Sequence, residues 1–353
     1  MKRIVLTSLF MLGLAAAVFA DQEAGPFPYK AVTADRKYIF VVTDPKCGLC
    51  GIDGDYKQSG MYRNDGSTAP LWTVDWMNRI FLPNDGRHVV RLGRWARYSA
   101  TYREELFTFV EEGRVLKTYT TVELVDFPYL LPHSVSHYGV FYGPMDPDQP
   151  GDGAVVKYDN GAGYPVNSGA TFDNQQNTLR IETHNGDTYL FDLNTGAILS
   201  ARRPARTTAV LLAALLIVLY SVFLLIAARV HSVRKHPRIT AFAGGFALVF
   251  GLFMIPLVAV ALNAPVHLDD WSRITEYFWS YAYLQISMLP RYLLASLGVL
   301  ALPENYCITT DWTMTLEWLA LFWLPLALLF GFINRFVIGF FSRESRVESR
   351  ELV

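Results

Sequence analysis

The chain has 353 residues, a formal net charge of −1, and is 52% hydrophobic and 14% aromatic. Such a balance leaves no electrostatic footprint for nucleic acid or an acidic polymer, and the aromatic content suits strands and membrane interfaces. The charge is uneven: Asp21 to Arg206 holds 23 acidic and 19 basic residues, a net of −4, and the remainder is mostly apolar.

Met1 to Ala20 reads as a secretory signal peptide. Lys2 and Arg3 open it, Ile4 to Phe19 is apolar, and a cut after Ala20 would leave Asp21 first. The chain from Asp21 onward is then expected outside the membrane. AGPFPYK reads as a Pro-rich lead-in.

From Lys37 the pattern is strands and turns. KYIFVVT (Lys37 to Thr43) is β-branched and aromatic, and LWTVDW (Leu71 to Trp76) alternates. Arg79 to Gly93 predicts two strands about Asn84-Asp85-Gly86. Leu106 to Tyr119 repeats the form about Glu112-Gly113, and Thr178 to Leu199 twice more about Asn185-Gly186 and Asn194-Thr195-Gly196. The one helical candidate before Thr207 is a short turn near Val122 to Asp126.

FLPNDGRHVVRLG and GDTYLFDLNTGAIL resemble strand pairs of β-propeller blades. With W-x-V-D-W and SVSHYGV, they are also similar to an uncharacterised group of bacterial exported β-rich proteins, a resemblance that implies no activity. The expected fold is an all-β extracytoplasmic domain over 21–206, a blade-like β-meander, with closed propeller and sandwich both open. About three blades can be delimited, and their spacing is irregular.

Cys47 and Cys50 stand as CGLCG after the first strand. Outside the cytoplasm a loop-closing disulfide is the default, and redox exchange is the alternative. The glycines at 48, 51 and 54 argue against the helix start of a thioredoxin-like site, and Gly51 takes the place of a haem-binding His. His133 and His137 are weak metal candidates. On a strand they lie about 13 Å apart, too far to share an ion, although a helical turn would bring them together. Asp146, Asp148 and Asp152 read as a solvated acidic turn rather than a calcium loop, and YDNGAGYPVNSGA as a long loop. No motif calls for a cofactor.

Thr207 to Ala228 is uncharged for 22 residues. As a helix it covers roughly 33 Å, enough for a bilayer core of about 30 Å. The basic stretch RVHSVRKHPR comes next, then a second span at 239–262, and a last one at 318–341. The segment 274–302 carries Glu276 and Arg291, is rich in aromatics and is broken at Pro290; an interfacial or re-entrant helix fits it. Glu276, Arg291 and Glu317 are the polar candidates in the membrane half (207–353), with interfacial anchoring as their plain role. The charge rule favours three spans over four.

The sequence thus predicts a protein of the bacterial inner (cytoplasmic) membrane whose β domain is a non-catalytic binding, sensing or scaffold module. The alternative is a membrane thiol–disulfide or electron-transfer component using Cys47 and Cys50. Its expected partners are the bilayer and a protein of the membrane or periplasm, not nucleic acid.

Overall fold

The structure is a computed structural model. It describes residues 28–43, 56–75, 77, 79–93, 102–131, 140–141, 155–157, 163–165, 170–229, 237–264, 286, 289–291, 293–294, 297 and 317–351. The proposed signal peptide, Cys47, Cys50, His133, His137, the acidic turn and Glu276 lie outside the described residues.

Three four-stranded antiparallel meanders form the N-terminal half. The first comprises β1 (Tyr29–Val32), β2 (Tyr38–Val42), β3 (Gly60–Arg63) and β4 (Trp72–Thr73). The second comprises β5 (Arg79–Phe81), β6 (His88–Leu92), β7 (Glu105–Glu111) and β8 (Arg114–Thr120). A four-residue helix α1 (Thr121–Leu124) and a 3-10 turn (Pro128–Leu130) come after it. The hairpin of β9 (Val155–Lys157) and β10 (Gly163–Pro165) precedes the third meander: β11 (Ala170–Asp173), β12 (Thr178–Glu182), β13 (Thr188–Asp192) and β14 (Ile198–Arg202). Every strand pairs with its chain neighbour, and the sheets do not close.

The turns fall where the sequence predicts them. Glu112 and Gly113 both take positive φ (48° and 84°), the two-residue hairpin geometry whose twist matches that of the strands. Two expectations are corrected. The Pro-rich lead-in already contains the start of β1, and the long loop after Tyr158 contains β10.

The second sheet is buried on both faces because side chains alternate along a strand. Val90, Leu92, Phe107 and Phe109 enter one core with Leu179, Ile181, Tyr189 and Phe191 of the third sheet. Val89 and Val110 point the other way, into a core with Phe40, Val42 and Met61 of the first. The rings of Phe107, Phe109, Tyr119 and Phe191 meet at centroid distances of 5.3 to 6.2 Å, mostly edge-on, which suits their quadrupoles.

Among the described residues, three helices are long and apolar enough to cross a membrane: Pro204–Ala227, Arg238–Asn263 and Leu319–Phe340. They belong to α2 (Pro204–Arg229), α3 (Pro237–Asn263) and a π-turn (Leu319–Trp323) that runs into α4 (Leu324–Glu351). Pro325, whose ring crowds the carbonyl four residues back, sits just after that π-turn, where the ladder is already opened.

The helices alternate in direction. Asn263 at the end of α3 bonds Thr208 at the start of α2, while Phe223, late in α2, packs on Gly244, early in α3. Gly245 meets the backbone of Ala327 and Gly331 on α4, and a Cβ there would lie 2.6 Å from the Gly331 amide nitrogen. Only a glycine allows that crossing. Asn334 is buried; its Nδ2 donates to the Ala241 carbonyl at 3.1 Å, and Tyr220 donates to its Oδ1. The α4 C-terminus therefore lies at the end of the bundle away from the sheets. Leu289, in the segment 274–302, packs both on the β core and on the core around Trp323, so it lies towards the sheet end of the bundle.

Candidate functional site

The β core continues into the helices. Ala205 of α2 and Leu257 and Val260 of α3 belong to the same buried cluster as Phe107, Ile181 and Phe191. At this junction ionisable side chains gather, with Asp187 and Tyr189 buried and Asp126 and Arg203 partly so.

Three segments build the group. The β12–β13 turn, Thr183 to Asp187, is closed by Gly186 N–H donating to the Thr183 carbonyl and Thr183 N–H donating to the Asp187 carbonyl, both at 2.9 Å. Positive φ at Gly186 (80°) lets it bend so tightly. The second segment, after α1, supplies Asp126. The third is the link from β14 to α2, which supplies Arg203, fixed just ahead of Pro204 at the helix start.

Arg203 ties the three together. Its Nη1 donates to Asp126 Oδ1 at 3.2 Å, and its Nη2 to the Glu123 carbonyl at 2.6 Å, one of the carbonyls that α1 leaves open. The guanidinium lies 5.4 Å from the centroid of the Tyr189 ring, within cation–π range. Tyr189 is fully buried, and its hydroxyl donates to the Leu124 carbonyl. Asn185 Nδ2 donates to the Phe127 carbonyl at 3.2 Å.

Asp187 is 0% exposed, and neither of its carboxyl oxygens has a partner. Burial, with the like charge of Asp126 added to it, pushes its pKa from 3.8 up to about 7, against the pull of Arg203. Burial likewise pushes His184 below the ordinary histidine value. Through Asp187 the folded chain binds more protons than the unfolded one between about pH 4 and about pH 7, so this group's contribution to stability falls as pH rises through that window, while His184, held neutral by burial, contributes in the opposite sense.

A second polar centre braces the middle sheet. Asp85, in the β5–β6 turn, accepts from the His88 amide at 2.9 Å and from His88 Nδ1 at 2.5 Å. Burial works to raise the Asp85 carboxyl, but these bonds hold it below its usual range. Glu111 accepts from Arg87 and Arg114, each at 2.7 Å, and lies 3.7 Å from His88 Nε2. This network joins two hairpin turns. No group of three or more His, Cys, Asp or Glu is placed to hold a metal among the described residues.

Of the candidates from the sequence, Arg291 lies with its guanidinium 5.5 Å from the centroid of the Trp318 ring, and Glu317 is exposed beside it at the start of the last helix. Sequence reasoning missed Asp126, Asp187 and the intramembrane Asn334. It gave no site role to Arg203. The available signal was that arginine's place, between an edge strand and a helix start. No family model matches the chain, and no curated protein is similar to it.

Proposed function

We propose that this protein is a membrane-anchored, non-catalytic binding or sensing module of the bacterial inner membrane. The β domain faces the outside, and the C-terminal end of α4 faces the cytoplasm. The observation that carries this reading is the unbroken core from the second and third sheets into the outer ends of α2 and α3. A ligand that loads the sheets strains the helix ends directly, because a close-packed core transmits displacement rather than absorbing it.

The exposed strands β8 and β14 offer surface for a partner: Val115 is 56% exposed and Leu199 57%. Photo-crosslinking residues placed at 115 and 199 of the full chain, in native membranes, test the reading. A discrete adduct at either position, lost on competition by the unlabelled chain, supports it. Absence of adducts at both positions counts against a binding role for these strands.

A further inference from the structure

Around Asp187 the unmet hydrogen-bonding capacity is all of one kind. Both Asp187 oxygens, Asp126 Oδ2 and Asn185 Oδ1 are buried acceptors without partners. None of the hydrogen bonds made by the neighbouring donors goes to these oxygens: Arg203 bonds Asp126 Oδ1 and the Glu123 carbonyl, Asn185 the Phe127 carbonyl, and Tyr189 the Leu124 carbonyl. With both carboxylates ionised, two negative charges face the single positive charge of Arg203. The site is short of one small positive charge that also donates. A proton on Asp187 meets both needs, since a carboxylic acid has an O–H where a carboxylate can only accept.

The same turn touches the membrane helices. Gly186, next to Asp187, lies against the carbonyl of Asn263, the last residue of α3. The turn is tied to itself at Thr183, where Oγ1 also accepts from the Asp187 amide at 3.2 Å, so the carboxyl and the contact with α3 move together.

We propose that Asp187 and Asp126 form a proton-binding pair, and that a proton on Asp187 holds the Thr183–Asp187 turn against the outer end of α3. Among the described residues, the charged and titratable groups acting on Asp187 are Asp126 from the segment after α1, Arg203 from the link to α2 and Tyr189 from β13. The final turn of α3, Ala259 to Asn263, has no titratable side chain. Loss of the proton leaves the buried Asp187 carboxylate beside the partly buried one of Asp126, with a single arginine between them, and the Asp187 side chain gains by reaching water. It reaches water by lifting the turn, which releases α3. The proposal rests on the geometry of this joint and not on what the β domain binds.

The test uses the full chain in lipid nanodiscs. Infrared titration should show a carboxylic-acid C=O band that disappears as pH rises through neutrality and is missing from D187N. Hydrogen exchange, corrected for intrinsic rates, should show protection over 183–187 and 259–264 falling on the order of tenfold or more across the same range. In D187N, whose amide stays neutral, that protection should not change with pH. An identical band or an identical pH profile in D187N overturns the proposal. So does recovery of protection at alkaline pH on adding sodium or calcium chloride, which would make the ligand a metal cation. If D187N does not fold, D126N decides: losing the like charge should move the band's midpoint to lower pH, and an unmoved midpoint overturns the pairing.

Discussion

The α-carbon of Gly186 faces the carbonyl oxygen of Asn263 so closely that a Cβ would sit far inside contact distance of it. A turn of the third sheet is thereby seated on the last residue of α3, a helix long and apolar enough to cross a membrane. Gly186→Ala adds both a clash and a side chain at φ 80°, where L residues are strained. The strain alone should cost roughly 1–3 kcal/mol. Thermal unfolding in detergent should show the loss, and limited proteolysis should cut the junction faster. An unchanged melting point would mean that the turn is not seated as described.

Arg203→Met should destabilise the junction by about 2 kcal/mol, the usual cost of losing charge-assisted bonds to Asp126 and the Glu123 carbonyl. The sign of its pH effect is distinctive. Arg203 pulls the Asp187 proton affinity down, so without it the proton is held to higher pH. The fall in stability with rising pH should therefore move upward in pH. Arg203→Lys, which keeps the charge without the fork, should move it less.

Asp85→Asn tests the acid limb. The Asp85 carboxyl is held below its ordinary value of 3.8, so its stabilisation is present above that pH and is lost as pH falls through the folded value. The variant should lose roughly 1–3 kcal/mol at neutral pH. Its melting curve should converge on the wild type as pH falls through the folded value, where the native carboxyl is also protonated. A constant difference at every pH would assign the loss to packing.

The alternating directions of α2, α3 and α4 place the chain end opposite the sheets. A reporter fused after Val353 should give cytoplasmic signal in cells where one inserted in the β5–β6 turn reports the outside. Both reporters on one side would overturn this arrangement.

The hairpins at Glu112-Gly113, Asn185-Gly186 and Asn194-Thr195-Gly196 were legible in the sequence because positive φ and strand alternation are local properties. The apolar run from Thr207 was legible for the same reason: a bilayer reads length and polarity, not tertiary contacts. β3 (GMYR) and β11 (ATFD) were not. Four residues are too few to show a period, and each is a strand only because a neighbour supplies its hydrogen bonds.

Local pattern was enough for the strand-rich and membrane halves, the turns and the three apolar spans. It was not enough for the meeting of Asp126, Asp187 and Arg203, since 61 positions separate the first two and each is an ordinary polar residue in its own stretch. Asp187 follows an Asn-Gly turn, where an aspartate is unremarkable and solvated. Its surroundings come from elsewhere in the chain: Asp126 and Arg203 lie close to it in space, and the end of α3 docks on the neighbouring Gly186. Desolvation depends on what surrounds a group in space, so no local pattern can encode the proton affinity it produces.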